Sequence, residues 1–144
     1  MRRISSLLLA GVLLVGCGTI SARQATVNWL QQSAYSSGRA TLKSDATTTL
    51  RTLRDPATST PALHTICEVL ITDVQAANSS LPVPDDQANQ LLANAYNELG
   101  SGANTCWNAG SDLRVRSQAV TFLIHGLAQL SFATIRLDAV ASGV

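Results

Sequence analysis

The residues in this chain with chemistry to offer are few: three cysteines, two histidines and nine carboxylates among 144 residues. Cys67 and Cys106 each sit on an apolar-periodic stretch, without the Cys-x-x-Cys spacing of a redox-active pair. Glu68 and Glu98 are the only glutamates, and neither has histidine three residues on, so a di-metal carboxylate bundle is excluded. His64 falls about one turn into its helix, whereas His125 falls ~20 Å along another. The two are not expected at one level, and both read as surface residues rather than zinc or haem ligands. No Gly-x-Ser-x-Gly elbow, P-loop or Gly-x-Gly-x-x-Gly run is present. Trp29, Tyr96 and Trp107 have the character of groove-lining aromatics, but such residues more often pack the end of a bundle. The expectation is a non-enzyme with no catalytic residue, metal or cofactor.

Composition narrows the partners. Apolar residues make up 46% of the chain, charged residues 13% and aromatics 4%, so the core has to come from Leu, Val, Ile and Ala. The ten basic residues fall to eight once Arg2 and Arg3 are set aside, against nine acidic ones. No basic run survives, and nucleic acid is not an expected partner.

Arg2 and Arg3 belong to an N-terminal address. They precede an apolar run from Ile4 to Gly16 that is shorter than the ~20 residues of a spanning helix. The run closes on Leu14-Val15-Gly16-Cys17, which resembles the lipobox of bacterial lipoproteins. That resemblance implies a signal peptide over 1–16 and a lipidated, N-terminal Cys17. It further implies an exported protein held by lipid on the extracytoplasmic face of the cell membrane. More than one acyl chain is needed for stable residence, and a diacylglyceryl group meets that need. Residues 17–24 are then the lipidated cysteine and a short linker, and 25–144 the domain. With Cys17 spent, Cys67 and Cys106 remain as an even pair outside the cytoplasm, where a disulfide is favoured.

Apolar steps of three and four mark the helices that would place these residues. Val27, Leu30, Ala34, Gly38, Leu42, Ala46, Leu50 and Leu53 form one stripe, weak around Ser36-Ser37-Gly38, where a kink or a division into two helices is expected. A second helix is capped by Thr60 with Pro61 at its first position, and a third by Asp85. The third passes Gly100 and Gly102 to about Asn108. The fourth runs from Asp112 to about Val140, capped by Ser111, with Asp112 and Arg116 spaced for an i,i+4 pair. Short connections argue an all-α, up-down-up-down four-helix bundle with one inter-helix disulfide.

A tight turn between the second and third helices would leave Cys67 and Cys106 about 14 Å apart along the axis. The Leu81-Pro82-Val83-Pro84-Asp85 connector removes the mismatch, since the six steps from Ser79 to Asp85 at ~3.1 Å each climb almost 19 Å. Trp29, Cys67, Leu81-Pro82, Pro84-Asp85, Tyr96 and Cys106 together resemble a group of small secreted or lipid-anchored helical proteins of actinobacteria. The resemblance implies a fold and an address, and no activity. Two functions fit these expectations. One is a lipid-anchored envelope protein that meets an envelope protein partner or is structural, with the loops at Asp55–Pro61 and Asn108–Asp112 as its distal end. The other is a carrier of a small apolar ligand, such as a lipid or fatty acid, held between helices where Ala, Gly and Ser lie on the stripes.

Overall fold

In a computed structural model the described residues, 21–144, form five helices: α1 (Ala22–Gln32), α2 (Tyr35–Arg54), α3 (Thr60–Asn78), α4 (Asp86–Ala109) and α5 (Leu113–Ser142). The signal peptide read over 1–16 and the lipidated Cys17 lie outside the described residues. The protein is all-helical in that region, and Cys67 and Cys106 are joined by a disulfide with their Cα atoms 5.8 Å apart.

Helix starts follow local hydrogen-bond chemistry, in two cases one residue from where the sequence pattern puts them. Asp85 caps α4 by accepting from the Ala88 N–H at 2.8 Å, and Asp86 fills the favourable first turn. The α3 cap is Ser59 rather than Thr60, since the Ser59 hydroxyl reaches the Ala62 N–H. Pro61 still sits in the first turn, where a missing N–H costs nothing. The α5 cap is Asp112 rather than Ser111: a carboxylate is the better acceptor at a helix N-terminus, and it takes both the Arg114 and Val115 N–H groups. Ser21 caps α1, so Ala22–Gln24, read as linker, are helical.

The first apolar stripe is two helices, and the division falls at Ser33-Ala34, not at Gly38. Ser33 is extended, and its N–H closes α1 on the Trp29 carbonyl at 2.8 Å. Beyond it Tyr35 is buried and packs on Trp29 with ring centroids 5.0 Å apart. The Trp29 indole donates to the Ser80 carbonyl at 3.2 Å. Aromatic packing therefore sets the bend, and Gly38 lies within α2 with open space beside it.

The core is Leu and Ala held by close helix approach. α4 and α5 make the most extensive contact, α3 packs on α2 and α4, α2 also packs on α5, and α1 packs on α5. Gly102 of α4 receives Leu123, and Gly126 of α5 receives Leu99. Each glycine is a notch for the other helix's leucine, with all four residues buried. Gly102 accordingly continues α4 and serves packing.

The disulfide fixes α3 and α4 at a common level, but their lengths differ beyond it. Counting from Cys67 to Asn78 and from Cys106 back to Asp86, α4 overhangs α3 by about 14 Å at the standard helical rise. The Leu81–Asp85 connector, with a cis Leu81–Pro82 bond, covers that overhang. Val83 is buried and donates its N–H to Asn89 Oδ1 at 2.9 Å. Asp85 is held by Arg136 of α5, Nη2 to Oδ2 at 2.8 Å.

At the opposite end the expected Asp112–Arg116 pair is replaced. Arg116 is only 3% exposed and donates to three carbonyls: Gly110 at 2.7 Å, Asp55 at 3.0 Å and Thr58 at 3.0 Å. Asp55 and Gly110 terminate α2 and α4, so the guanidinium occupies the negative ends of two helix dipoles. α5 is also the one described helix long and apolar enough to span a bilayer, but Leu123, Leu130, Ala133 and Leu137 put it in the core.

Three substitutions test this arrangement. A Cβ at Gly126 would lie 2.7 Å from Leu99 Cγ and 2.9 Å from its backbone N, so Gly126→Ala should lower stability by about 1–3 kcal/mol in denaturant unfolding. Gly38→Ala meets nothing and should raise stability by up to about 1 kcal/mol. Arg116→Ala, which strands three carbonyls, should cost about 3 kcal/mol in the same assay.

Candidate functional site

Because α3 stops at Asn78 and α1 turns away at Ser33-Ala34, one end of the domain is left with a cleft. Its volume is about 630 Å³. Trp29 of α1, Tyr35 of α2 and Tyr96 of α4 form its aromatic walls, and Ala76 and Ala77 of α3 form a small-residue floor. Ser79 and Ser80, which close α3, edge it. Short side chains in the last turn of α3 are what leave the space open.

Two cleft residues present buried polar atoms with no hydrogen-bond partner, Ser33 Oγ and Tyr35 OH, and Asp73 adds a carboxyl paired with Asp45. Unpaired buried polar groups are uncommon and call for an explanation. Tyr35 is 4% exposed, so its hydroxyl has no bulk water to fall back on. Asp73 faces Asp45 across the α2–α3 contact. Burial first, and then the Asp45 carboxyl bonded to it, push Asp73 up from 3.8 to about 6. Burial pushes the Tyr96 phenol up to about 12, while the Ser80 hydroxyl beside it pulls the other way. The Arg39 guanidinium lies 5.4 Å from the Tyr35 ring centroid and also lines the cleft.

The arrangement can hold a small organic molecule between aromatic faces and offer it hydroxyl, carboxyl and guanidinium contacts. No histidine or cysteine lines it. Among the described residues no group of three His, Cys, Asp or Glu side chains is placed to hold a metal ion.

Of the aromatics read from the sequence, Trp29 and Tyr96 meet in this cleft and Trp107 does not. Trp107 lies at the other end, 39% exposed, stacked on His64 at 4.4 Å. These two rings flank the Cys67–Cys106 bridge in sequence. His125 is exposed on α5. Leucines fill the Gly102 and Gly126 notches, so those small residues leave no space, whereas Ala34 and Gly38 of the first stripe line the end cleft.

Tyr35, Ser33 and the Asp45–Asp73 pair were invisible to the stripe analysis for a definite reason. A single helix through residue 34 puts Ala34 and Gly38 inward. The break changes only the start of that stripe: α2 buries Tyr35 where Ala34 and Gly38 are expected inward, and keeps Leu42, Ala46 and Leu53 in the core. The usable signal was Tyr35 at spacing seven from Leu42.

No protein family, no curated protein and no solved structure matches this chain.

Asp73 and Asp85 give pH effects of opposite sign. Asp73 holds its proton more tightly folded than unfolded, so its contribution is full below 3.8 and lost as pH rises through about 6. Arg136 beside Asp85, with the Ala88 N–H, holds that carboxyl below its usual value, so its contribution is present above 3.8 and lost on acidification. Asp73→Asn should therefore raise the melting temperature at neutral pH and flatten its decline between pH 3.8 and 6. Asp85→Ala should cost about 1 kcal/mol at neutral pH through the lost cap alone, and the loss should shrink in acid. Melting curves across pH read both.

Proposed function

We propose that the protein is a non-catalytic envelope lipoprotein, exported and held on the extracytoplasmic face by lipid on Cys17, whose helical domain binds a small amphipathic molecule in its end cleft. The supporting observation is the convergence of two partnerless buried hydroxyls, on Ser33 and Tyr35, with the Asp73 carboxyl beside them, in an apolar space of about 630 Å³. A few placed polar groups in a mostly apolar concavity are the usual composition of a ligand site. The occupant fits the apolar-ligand carrier class, with a polar end added. In this reading α2 to α5 run up, down, up and down. Consecutive order, short connections and packing of each of these helices on two of the others favour that topology. α1 is then an arm folded over the open end.

A second reading is favoured by one observation. The exposed Trp107, braced on His64 beside the disulfide, is a rigid aromatic of the kind that anchors protein partners. It would place an envelope protein partner at the end carrying the Asp55–Ser59 and Gly110–Asp112 loops.

Native mass spectrometry of the protein purified from its own envelope separates the two. A bound small molecule that raises the melting temperature, and that is lost in Ala77→Trp while the fold is kept, is the expected outcome. A ligand-free domain whose crosslinks require Trp107 would replace the carrier reading with the partner reading. Cys17→Ser should release the chain from the membrane fraction.

A further inference from the structure

The charges that look evenly mixed along the chain are sorted by the fold. α3 and α4 contain no lysine or arginine, and their charged residues are Glu68, Asp73, Asp86 and Glu98. α2 and α5, which pack on each other, contain seven lysine or arginine residues against Asp45 and Asp138. Asp45 is turned to Asp73 of α3, leaving Asp138 as the acidic residue set against them. Arg116 is buried and Arg136 is paired with Asp85, whereas Arg39 and Lys43 line the groove between α2 and α5 together with Leu127 and Ile135.

The same side carries the molecule's exposed apolar bulk. Leu113, Ile124 and Ile135 recur every eleven residues, three helical turns, and so share one face of α5. They are 64%, 44% and 64% exposed, and Phe132 nearby is 57% exposed. Isolated exposed apolar residues need no explanation, but an aligned series of large ones on one helix does.

We propose that the α2–α5 face lies flat on an anionic lipid bilayer, with the α5 apolar side chains entering the headgroup–acyl boundary and Arg39 and Lys43 meeting lipid phosphates. The chemistry is that of an interfacial amphipathic surface, in which apolar area and cationic flanks act together. A bilayer suits this face better than an acidic protein. The apolar side chains stand singly along ~33 Å of a convex helix and need a yielding surface, not a pocketed one. α1 enters beside the same helix: Arg23 Nε donates to the Ala141 carbonyl at 3.0 Å. The orientation rests in part on the lipid-anchor reading, because lipid on Cys17, four residues ahead of the Ser21 cap, would start from that end of α5.

The test uses the full chain in vesicles with brominated acyl chains, made of phosphatidylcholine alone or mixed with phosphatidylglycerol. Trp replaces Ile135, Ile124 or, on the acidic side, Val69, over the constant background of Trp29 and Trp107. Ile135→Trp and Ile124→Trp should lose emission in the anionic vesicles and recover it at about 1 M salt, where screening reaches ~3 Å. Val69→Trp should be unaffected, and Lys43→Glu should weaken the quenching of Ile135→Trp. Equal quenching at all three positions, or none at Ile135 and Ile124, overturns the proposal. A face built for an acidic protein would give the second result. Flotation of Cys17→Ser reads the anchor separately: a chain that still floats on neutral vesicles removes the anchor reading, while the position-dependent quenching continues to decide the face.

Discussion

The difference in height between α3 and its neighbours is the constraint from which the rest of this domain follows. α4 and α5 are locked along their length by reciprocal glycine–leucine notches, and the disulfide pins α3 to α4 at one level. α3 then runs out about 14 Å before α4 does. The chain answers the shortfall from two sides. The Leu81–Asp85 connector rises along it, fastened by Val83, Asn89 and the Asp85–Arg136 pair. α1 turns at Ser33-Ala34 and packs against α5. The cleft is what those two partial coverings leave uncovered.

Much of this was legible in the sequence, and the legible part was the part governed by local chemistry. Asp85 as a cap, the passage of α4 through Gly100 and Gly102, and the use of the connector as a spacer between two cysteines all follow from spacing and turn residues. Ser59 and Asp112 displaced Thr60 and Ser111 because neighbouring residues compete for the same orphan N–H groups, and the winner depends on the entry angle of the chain. The long-range features were not legible. Arg116 at spacing four from Asp112 reads as a surface pair, since its true acceptors are carbonyls, which every residue has. Asp45 and Asp73 lie beside core positions on separate helices, and periodicity cannot say that they face each other. The sequence places the break at the weakest helix former, Gly38, whereas it falls at Ser33-Ala34, where Trp29 packs on Tyr35.

The same limitation applies to electrostatics. A chain with eight basic and nine acidic residues outside its first sixteen looks neutral and featureless. Once α2 lies on α5 and α3 on α4, the sum separates into two sides of opposite sign. Net charge sets solubility, but the field a partner feels depends on which helices are neighbours.

Arg116 has a consequence for how the domain comes apart. Its socket is made of backbone carbonyls alone, so the charge there has no counterpart that gains or loses a proton. Asp73, Asp85 and Tyr96, whose acidity the fold alters, belong to the other half, around the connector and the cleft. Acidity therefore reaches the connector half through Asp73 and Asp85, whereas the clasp at the opposite end is made to backbone carbonyls, which do not titrate.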